Sequence, residues 1–150
     1  MSFYRSDSLN HMFFKVIRLH YHRMQALLDK VGIYPGQPPM LHALHMKDGQ
    51  SQKELAKKLG IKPSTITVML KRMEKGELVE RRQDTEDQRI SRVYLTEKGK
   101  EAWIEVKEIM KDLETECFGN FTAEDQVLLR RLLMQMHDNL EKVCDKKLEL

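Results

Sequence analysis

The segment from Gln52 to Met73 reads QKELAKKLGIKPSTITVMLKRM, and its spacing decides the fold. Counted from Gln52, apolar residues fall at positions 4, 8, 10, 15 and 18: Leu55, Leu59, Ile61, Ile66 and Met69. Ala56 is small where two steeply crossing helices must touch, and Gly60 permits the positive φ of a sharp turn. This is the pattern of a helix-turn-helix, with its apolar positions sealed onto a third element. Pro63 suits the first turn of the second helix, since its missing N–H would be unpaired there anyway. With the core face assigned, Ser64, Thr65, Thr67, Lys71 and Arg72 remain outward, behind Lys62 and Pro63 at the helix entry. Hydroxyls that reach base edges or phosphates, followed by cations that neutralise a backbone, suit a helix entering a major groove. Ser51-Gln-Lys-Glu54 is a capping box, and the helix start at Ser51 and Gln52 offers N–H groups to a phosphate. Two packed helices with no nucleic-acid partner are the alternative reading.

Outward from this segment, the apolar period changes. Leu78–Arg82 and Ile90–Leu95 are β-compatible and flank the polar stretch from Gln83 to Arg89, which predicts a hairpin with a long tip. Arg81, Arg82, Arg89 and Arg92 lie on or beside it. A protruding tip can lay Arg89 in a minor groove, where the potential is most negative. Asp87 is expected to pair with a tip arginine and fix the loop's shape. A solvated charged turn is the plainer alternative. Upstream, Ser8 to Val31 shows helical spacing over about 22 residues, roughly 33 Å, and Gly32 stops it. A loop through Pro35, Gly36, Pro38 and Pro39 leads to a helix from Met40 to Met46. Downstream, Thr96 caps a helix through Trp103 and Leu113, and Thr122 caps a last one whose apolar face runs from Val127 to Val143.

Charge follows the same partition. The 150 residues carry a net +3. Residues 47–100 hold fourteen Lys/Arg against nine Asp/Glu, while residues 101–150 hold seven against twelve. A polyanion would therefore meet the middle of the chain. Hydrophobic residues make up 41%, enough for a core, and aromatics 7%, which leans towards helices over a β-sandwich. No stretch approaches the roughly 20 apolar residues of a membrane helix, and Met1–Asn10 lacks a signal-peptide pattern. With two isolated cysteines, Cys117 and Cys144, the expected setting is a reducing cytoplasm, with no membrane partner. There is no phosphate-cradling Gly-rich loop, HExxH, paired CxxC or G-x-S-x-G elbow, so no enzyme is expected. No cofactor is expected either.

The helix-turn-helix, the hairpin and Leu95-Thr96-Glu-Lys-Gly99 in this order resemble the MarR (multiple antibiotic resistance regulator) family. The matching residues are Gly36-Gln37-Pro-Pro-Met-Leu41, Gln52-Lys-Glu-Leu-Ala56, Gly60-Ile61, Ser64-Thr65-Ile-Thr67, Arg72-Met-Glu-Lys-Gly76-Glu-Leu-Val79 and Asp84-Thr-Glu-Asp87-Gln-Arg89. The resemblance implies a mainly α fold with a small β-hairpin wing: a winged helix-turn-helix plus long N- and C-terminal dimerisation helices. Residues 33–100 would form the DNA-binding lobe, and residues 1–32 and 101–150 the two parts of a dimerisation lobe. It further implies a homodimer on double-stranded DNA, two recognition helices roughly 34 Å apart matching a pseudo-palindromic operator. The dimer would act as a repressor released by a small molecule bound between the lobes.

For that effector the residues are less specific. His11, Arg18, His22, Tyr34 and His42 are candidate polar linings of a cleft for a small aromatic or lipophilic acid, and Met40 and Met46 could give it an adaptable wall. His20 with His22 and His42 with His45 suggest metal, but His20 and His22 do not share a helix face, and no His on residues 97–136 completes the paired-His set of zinc-sensing relatives. No metal site is assigned. The organic-peroxide sensors of the family it resembles use a reactive Cys near the start of the first helix, and this sequence has none there. Cys117 lies near Glu114 and Glu116, which disfavours a thiolate, and Cys144 has Lys142, Lys146 and Lys147 nearby. A metal- or redox-sensing regulator and a winged-helix protein-interaction scaffold are the alternatives.

Overall fold

Ser8 caps the first helix, α1 (Leu9–Asp29), by accepting the His11 N–H on its hydroxyl at 3.1 Å. The computed structural model describes residues 8–144. Helix α2 (Gln37–Met46) begins earlier than the sequence predicts: Pro38 and Pro39 occupy its first turn instead of a preceding loop, because that turn has no N–H bonds for a proline to remove. Helix α3 (Gln52–Leu59) opens on the expected capping box, in which the Ser51 hydroxyl accepts the Glu54 N–H and the Glu54 carboxylate accepts the Ser51 N–H. Gly60 closes α3 with φ of +61°, the left-handed turn that the spacing demanded. Helix α4 (Pro63–Lys75) follows. Gly76 caps it in an ordinary right-handed conformation, and the left-handed residue is the next one, Glu77, with φ of +60°.

The sheet has three strands where the sequence predicts two. Gln50–Ser51 forms β1, Val79–Gln83 forms β2 and Ser91–Leu95 forms β3, in the antiparallel order β1-β3-β2. A strand of two residues has no alternation to read. Gln50 pairs with Val93, and its buried side-chain amide donates to the carbonyls of Ala43 at 2.9 Å and Lys47 at 2.6 Å. The Ala43 carbonyl also accepts the Lys47 N–H at 3.1 Å, so the side chain of Gln50 reinforces the end of α2 and supplies a donor to the Lys47 carbonyl beyond it. Helix α5 (Glu97–Phe118) is capped by Thr96, and α6 (Ala123–Glu141) by a second capping box between Thr122 and Asp125.

Where α5 meets the sheet, two backbones touch. The Thr96 N–H donates to the Leu78 carbonyl at 3.1 Å, and the Thr96 hydroxyl donates to the Glu77 carbonyl at 2.6 Å. A Cβ on Gly99 would lie 2.0 Å from the Leu78 carbonyl oxygen, so this approach admits only glycine.

One core joins these elements. Leu28, Met40, Leu41, Leu44, Leu55, Ile66, Leu70, Met73 and Val93 are fully buried in it, together with Val106. Leu59, Ile61 and Met69 pack against it half-buried. The core takes in Leu28 on one side and Ala102 and Val106 on the other, so it reaches beyond residues 33–100 at both ends. Past those points Leu113 on α5 is the one buried residue among those described. Helix α1 buries only Leu28 and α6 buries no residue, leaving Leu9 at 92%, Leu19 at 68% and Val127 at 70% exposed.

Candidate nucleic-acid interface

Helix α4 divides cleanly. Ile66, Leu70 and Met73 face the core, while Lys62, Ser64, Thr65, Lys71 and Arg72 are exposed. Val68 stands among them, 53% exposed. An apolar residue on a polar helix face gives no periodic signal, and the sequence reading passes over it. Ser64, Thr65, Val68 and Arg72, with Tyr34 before α2, line a groove of about 440 Å³. The Arg72 guanidinium lies 5.8 Å from the centre of the Tyr34 ring, a cation–π contact that steadies it. Tyr34, a candidate for an effector cleft, therefore borders the outward face of α4.

Thr67 turns aside from that face. Its hydroxyl donates to the Pro63 carbonyl at 2.9 Å and accepts from the Gln52 side-chain amide. The Ser51 N–H, expected to be open to a phosphate, is taken by Glu54 at 2.8 Å. That hydrogen bond also holds the Glu54 carboxyl below its usual range, so the box is ionised at neutral pH.

The four wing arginines differ in what holds them. Arg81 donates through Nε to Glu74 at 2.8 Å and through Nη1 to Gln52 at 3.2 Å. Arg82 pairs with Glu80 and lies 4.4 Å from the centre of the Tyr94 ring. Arg92 binds the Asp84 carboxylate, donates to the Gly49 carbonyl at 3.1 Å and approaches Glu54 at 3.5 Å. Arg89 alone projects from the tip, its side chain 90% exposed. As expected, Asp87 pairs with it, at 3.0 and 3.1 Å, and also accepts the Arg89 N–H. The Arg89 hydrogen bond holds the Asp87 carboxyl below its usual range.

The tip is folded on Asp84. Its carboxylate binds Arg92 and accepts the N–H groups of Glu86 at 2.8 Å and Asp87 at 3.1 Å. With the Arg92 bond as the largest cause, its pKa is lowered to about 2. The result is a loop cross-braced through Asp84, with Arg89 exposed at its tip and paired with Asp87.

The remaining candidates do not gather around one cavity. His11 and Arg18 border a shallow depression on α1 with Phe14 and Lys15, and His22 is exposed on the same helix. Met40 is not a cleft wall: it is fully buried in the core, on the face of α2 that it shares with Leu41 and Leu44. Met46 is exposed at the far end of α2. His42 and His45, considered as a metal pair, lie against Trp103, with ring centres 5.1 and 5.8 Å away. The Trp103 indole N–H is buried without a partner among the described residues. Among the described residues, the grouping of potential ligands that does form, His137, Asp138 and Glu141, is exposed on α6. Cys117 is half-buried and Cys144 exposed, while Lys146 and Lys147 lie outside the described residues.

Comparison with known proteins accords with this geometry. Residues 33–91 match the MarR family. The HTH-type transcriptional regulator YdgJ of Bacillus subtilis is 33% identical over 112 residues, 75% of this chain and 68% of YdgJ. A MarR-like transcription regulator from Bacillus cereus superposes with a TM-score of 0.73 at 28% identity, covering 87% of this chain and 97% of that one. A mutant MarR from E. coli, solved in complex with operator DNA, gives 0.72 at 25% identity over 85% of this chain and 92% of the other.

Proposed function

This chain belongs to the MarR family of transcriptional regulators, and from that premise we propose that it is a homodimeric DNA-binding repressor released by a small aromatic or lipophilic effector. The observation that carries the reading is the pairing of two features: the exposed polar face of α4, and Arg89 exposed at the tip of the wing, where Asp87 holds it. In this reading Ser64 and Thr65 meet base edges or phosphates, and Lys62, Lys71 and Arg72 neutralise the backbone. Val68 supplies methyl groups that favour a thymine C5-methyl. Arg89 enters the neighbouring minor groove. Such proteins act by binding, with no catalytic step.

Residues 33–100 form the DNA-binding lobe, and residues 1–32 and 101–150 the dimerisation lobe. The unburied apolar residues of α1 and α6 support that assignment, since two copies would cover what one leaves open. The dimer presents two copies of α4 to a pseudo-palindromic operator. An effector acts by binding one spacing of the lobes better than the other. No described helix is long and apolar enough to cross a membrane, and the cytoplasm, where the DNA is, is the proposed location.

The test is selection of a duplex from a randomised pool, followed by anisotropy titrations against a scrambled duplex at rising salt. Binding should be salt-sensitive and prefer the selected duplex. Arg89→Ala should weaken it and lower the salt slope by up to about 2, counting one lost contact on each protomer at about 0.9 each. Failure to enrich any duplex would overturn the reading.

A further inference from the structure

Glu74 on α4, Arg81 on β2, Gln52 at the start of α3 and Thr67 back on α4 are joined end to end. The Glu74 carboxylate accepts from Arg81 Nε at 2.8 Å, and Arg81 Nη1 donates to Gln52 Oε1 at 3.2 Å. Gln52 Nε2 then donates to Thr67 Oγ1, which donates to the Pro63 carbonyl at 2.9 Å. The roles leave no choice of direction. The amide of Gln52 gives its oxygen to a group that only donates, so its nitrogen faces Thr67. The single Thr67 proton goes to Pro63, so the hydroxyl accepts from Gln52. All four side chains are half-buried, where water competes less for the bonds.

The chain of bonds begins and ends on the same helix. Glu74 lies seven residues beyond Thr67, about two turns or roughly 10 Å along α4. Between those ends it passes through the other helix of the helix-turn-helix and through the wing. A tilt or slide of α4 against either partner, beyond what these side chains can follow, breaks a bond in it. The charges of Glu74 and Arg81 cancel within it, so it adds little to the attraction for a polyanion.

We propose that Gln52, Thr67, Glu74 and Arg81 are positioning residues: they set the angle of the recognition helix against the wing and thereby its discrimination between sequences, and are not themselves DNA ligands. The proposal rests on the DNA-binding reading above. It departs from the sequence expectation for Gln52, Thr67 and Arg81, whose residue types alone suggest direct contacts.

The deciding variant is Glu74→Met with Arg81→Met, which breaks the relay without altering net charge. Anisotropy is read with the duplex selected by the wild type and with a scrambled duplex, between about 50 and 200 mM salt. Expected are a roughly tenfold loss on the selected duplex, unchanged affinity for the scrambled one, and an unchanged salt slope. Thr67→Val should give a similar loss, and Thr67→Ser, which keeps the hydroxyl, should retain affinity. General unfolding would instead lower both affinities together. The proposal is overturned if the selected duplex is bound as before. It is equally overturned if the slope falls by about 1.8 per dimer, which would make Arg81 a phosphate ligand. Should the wild type select no duplex, the DNA-binding reading fails by itself, and amide exchange along α4 in the free protein decides the relay. The double variant should speed exchange about tenfold at Thr67 and Val68, and unchanged rates would overturn it.

Discussion

Replacing Gly99 with alanine tests how α5 is joined to the sheet. The added Cβ would lie 2.0 Å from the Leu78 carbonyl oxygen, 3.0 Å from its carbon and 3.1 Å from Leu95 Cδ2. A carbon and a carbonyl oxygen sit comfortably at about 3.3 Å, so the two backbones must part by more than an ångström. That movement breaks the bonds from the Thr96 N–H and hydroxyl to Leu78 and Glu77, each worth about 1 kcal/mol net. Forcing extra volume into a packed seam costs about 1–3 kcal/mol more. The expected loss is about 3–5 kcal/mol, which in a chain of this size lowers the melting temperature by roughly 10 °C or more. Gly60→Ala is the comparison. Gly60 also resists substitution, with φ of +61°, but a Cβ there meets nothing within 4 Å. It should cost only the conformational strain, about 1 kcal/mol. Urea and thermal melts of the three proteins, followed by circular dichroism at one chain concentration, measure the difference. If Gly99→Ala loses no more than Gly60→Ala, the close approach does not hold α5 and the reasoning is wrong.

Other perturbations have equally definite outcomes. Asp84 has a folded pKa lowered to about 2 from 3.8, so its hold on the wing is complete at neutral pH and disappears only as pH falls from about 4 through 2. The amide shifts of Glu86 and Asp87 should titrate with a midpoint near 2, and Arg92→Gln should move that midpoint upward; an ordinary carboxylate midpoint in the wild type would contradict the clasp. Glu77 has φ of +60° and a largely exposed side chain, so Glu77→Gly should stabilise the protein by up to about 1 kcal/mol in the same melts. Leu133→Glu on α6, where nothing is buried within the chain, should leave the DNA-binding lobe folded but yield monomers in sedimentation velocity; a dimer of undiminished strength would place the interface elsewhere.

What the sequence revealed and what it hid have separate physical causes. The capping box at Ser51, the cap at Thr122, the turn at Gly60 and the core face of α4 rest on residues within four positions of one another, and all appear as expected. Strand β1 was hidden because its two residues exist as a strand only through Val93 and Arg92, more than forty positions away. Met40 shares a helix face with Leu41 and Leu44, and that this face turns into the core is set by packing against distant residues, not by local spacing. At the interface, residue type gave the composition of the surface but not its allocation. Arg81, Arg82, Arg89 and Arg92 look alike in sequence, yet Glu74, Glu80, Asp87 and Asp84 make them four different groups. Thr67 and Gln52, fifteen residues apart, satisfy each other, which spacing along one helix cannot disclose.

Helix α6 has a consequence for how this protein behaves in a cell. A nineteen-residue helix with no buried residue draws little support from its own chain, and in proteins most helical stability comes from packing of an apolar face. If two chains pair through this helix, as proposed, completing the fold becomes a second-order event. Dilution favours fraying and synthesis favours order. A regulator built this way would respond to its own abundance as well as to any small molecule: newly made, scarce chains would be poorly ordered at this end, and occupancy of DNA would rise more steeply than concentration.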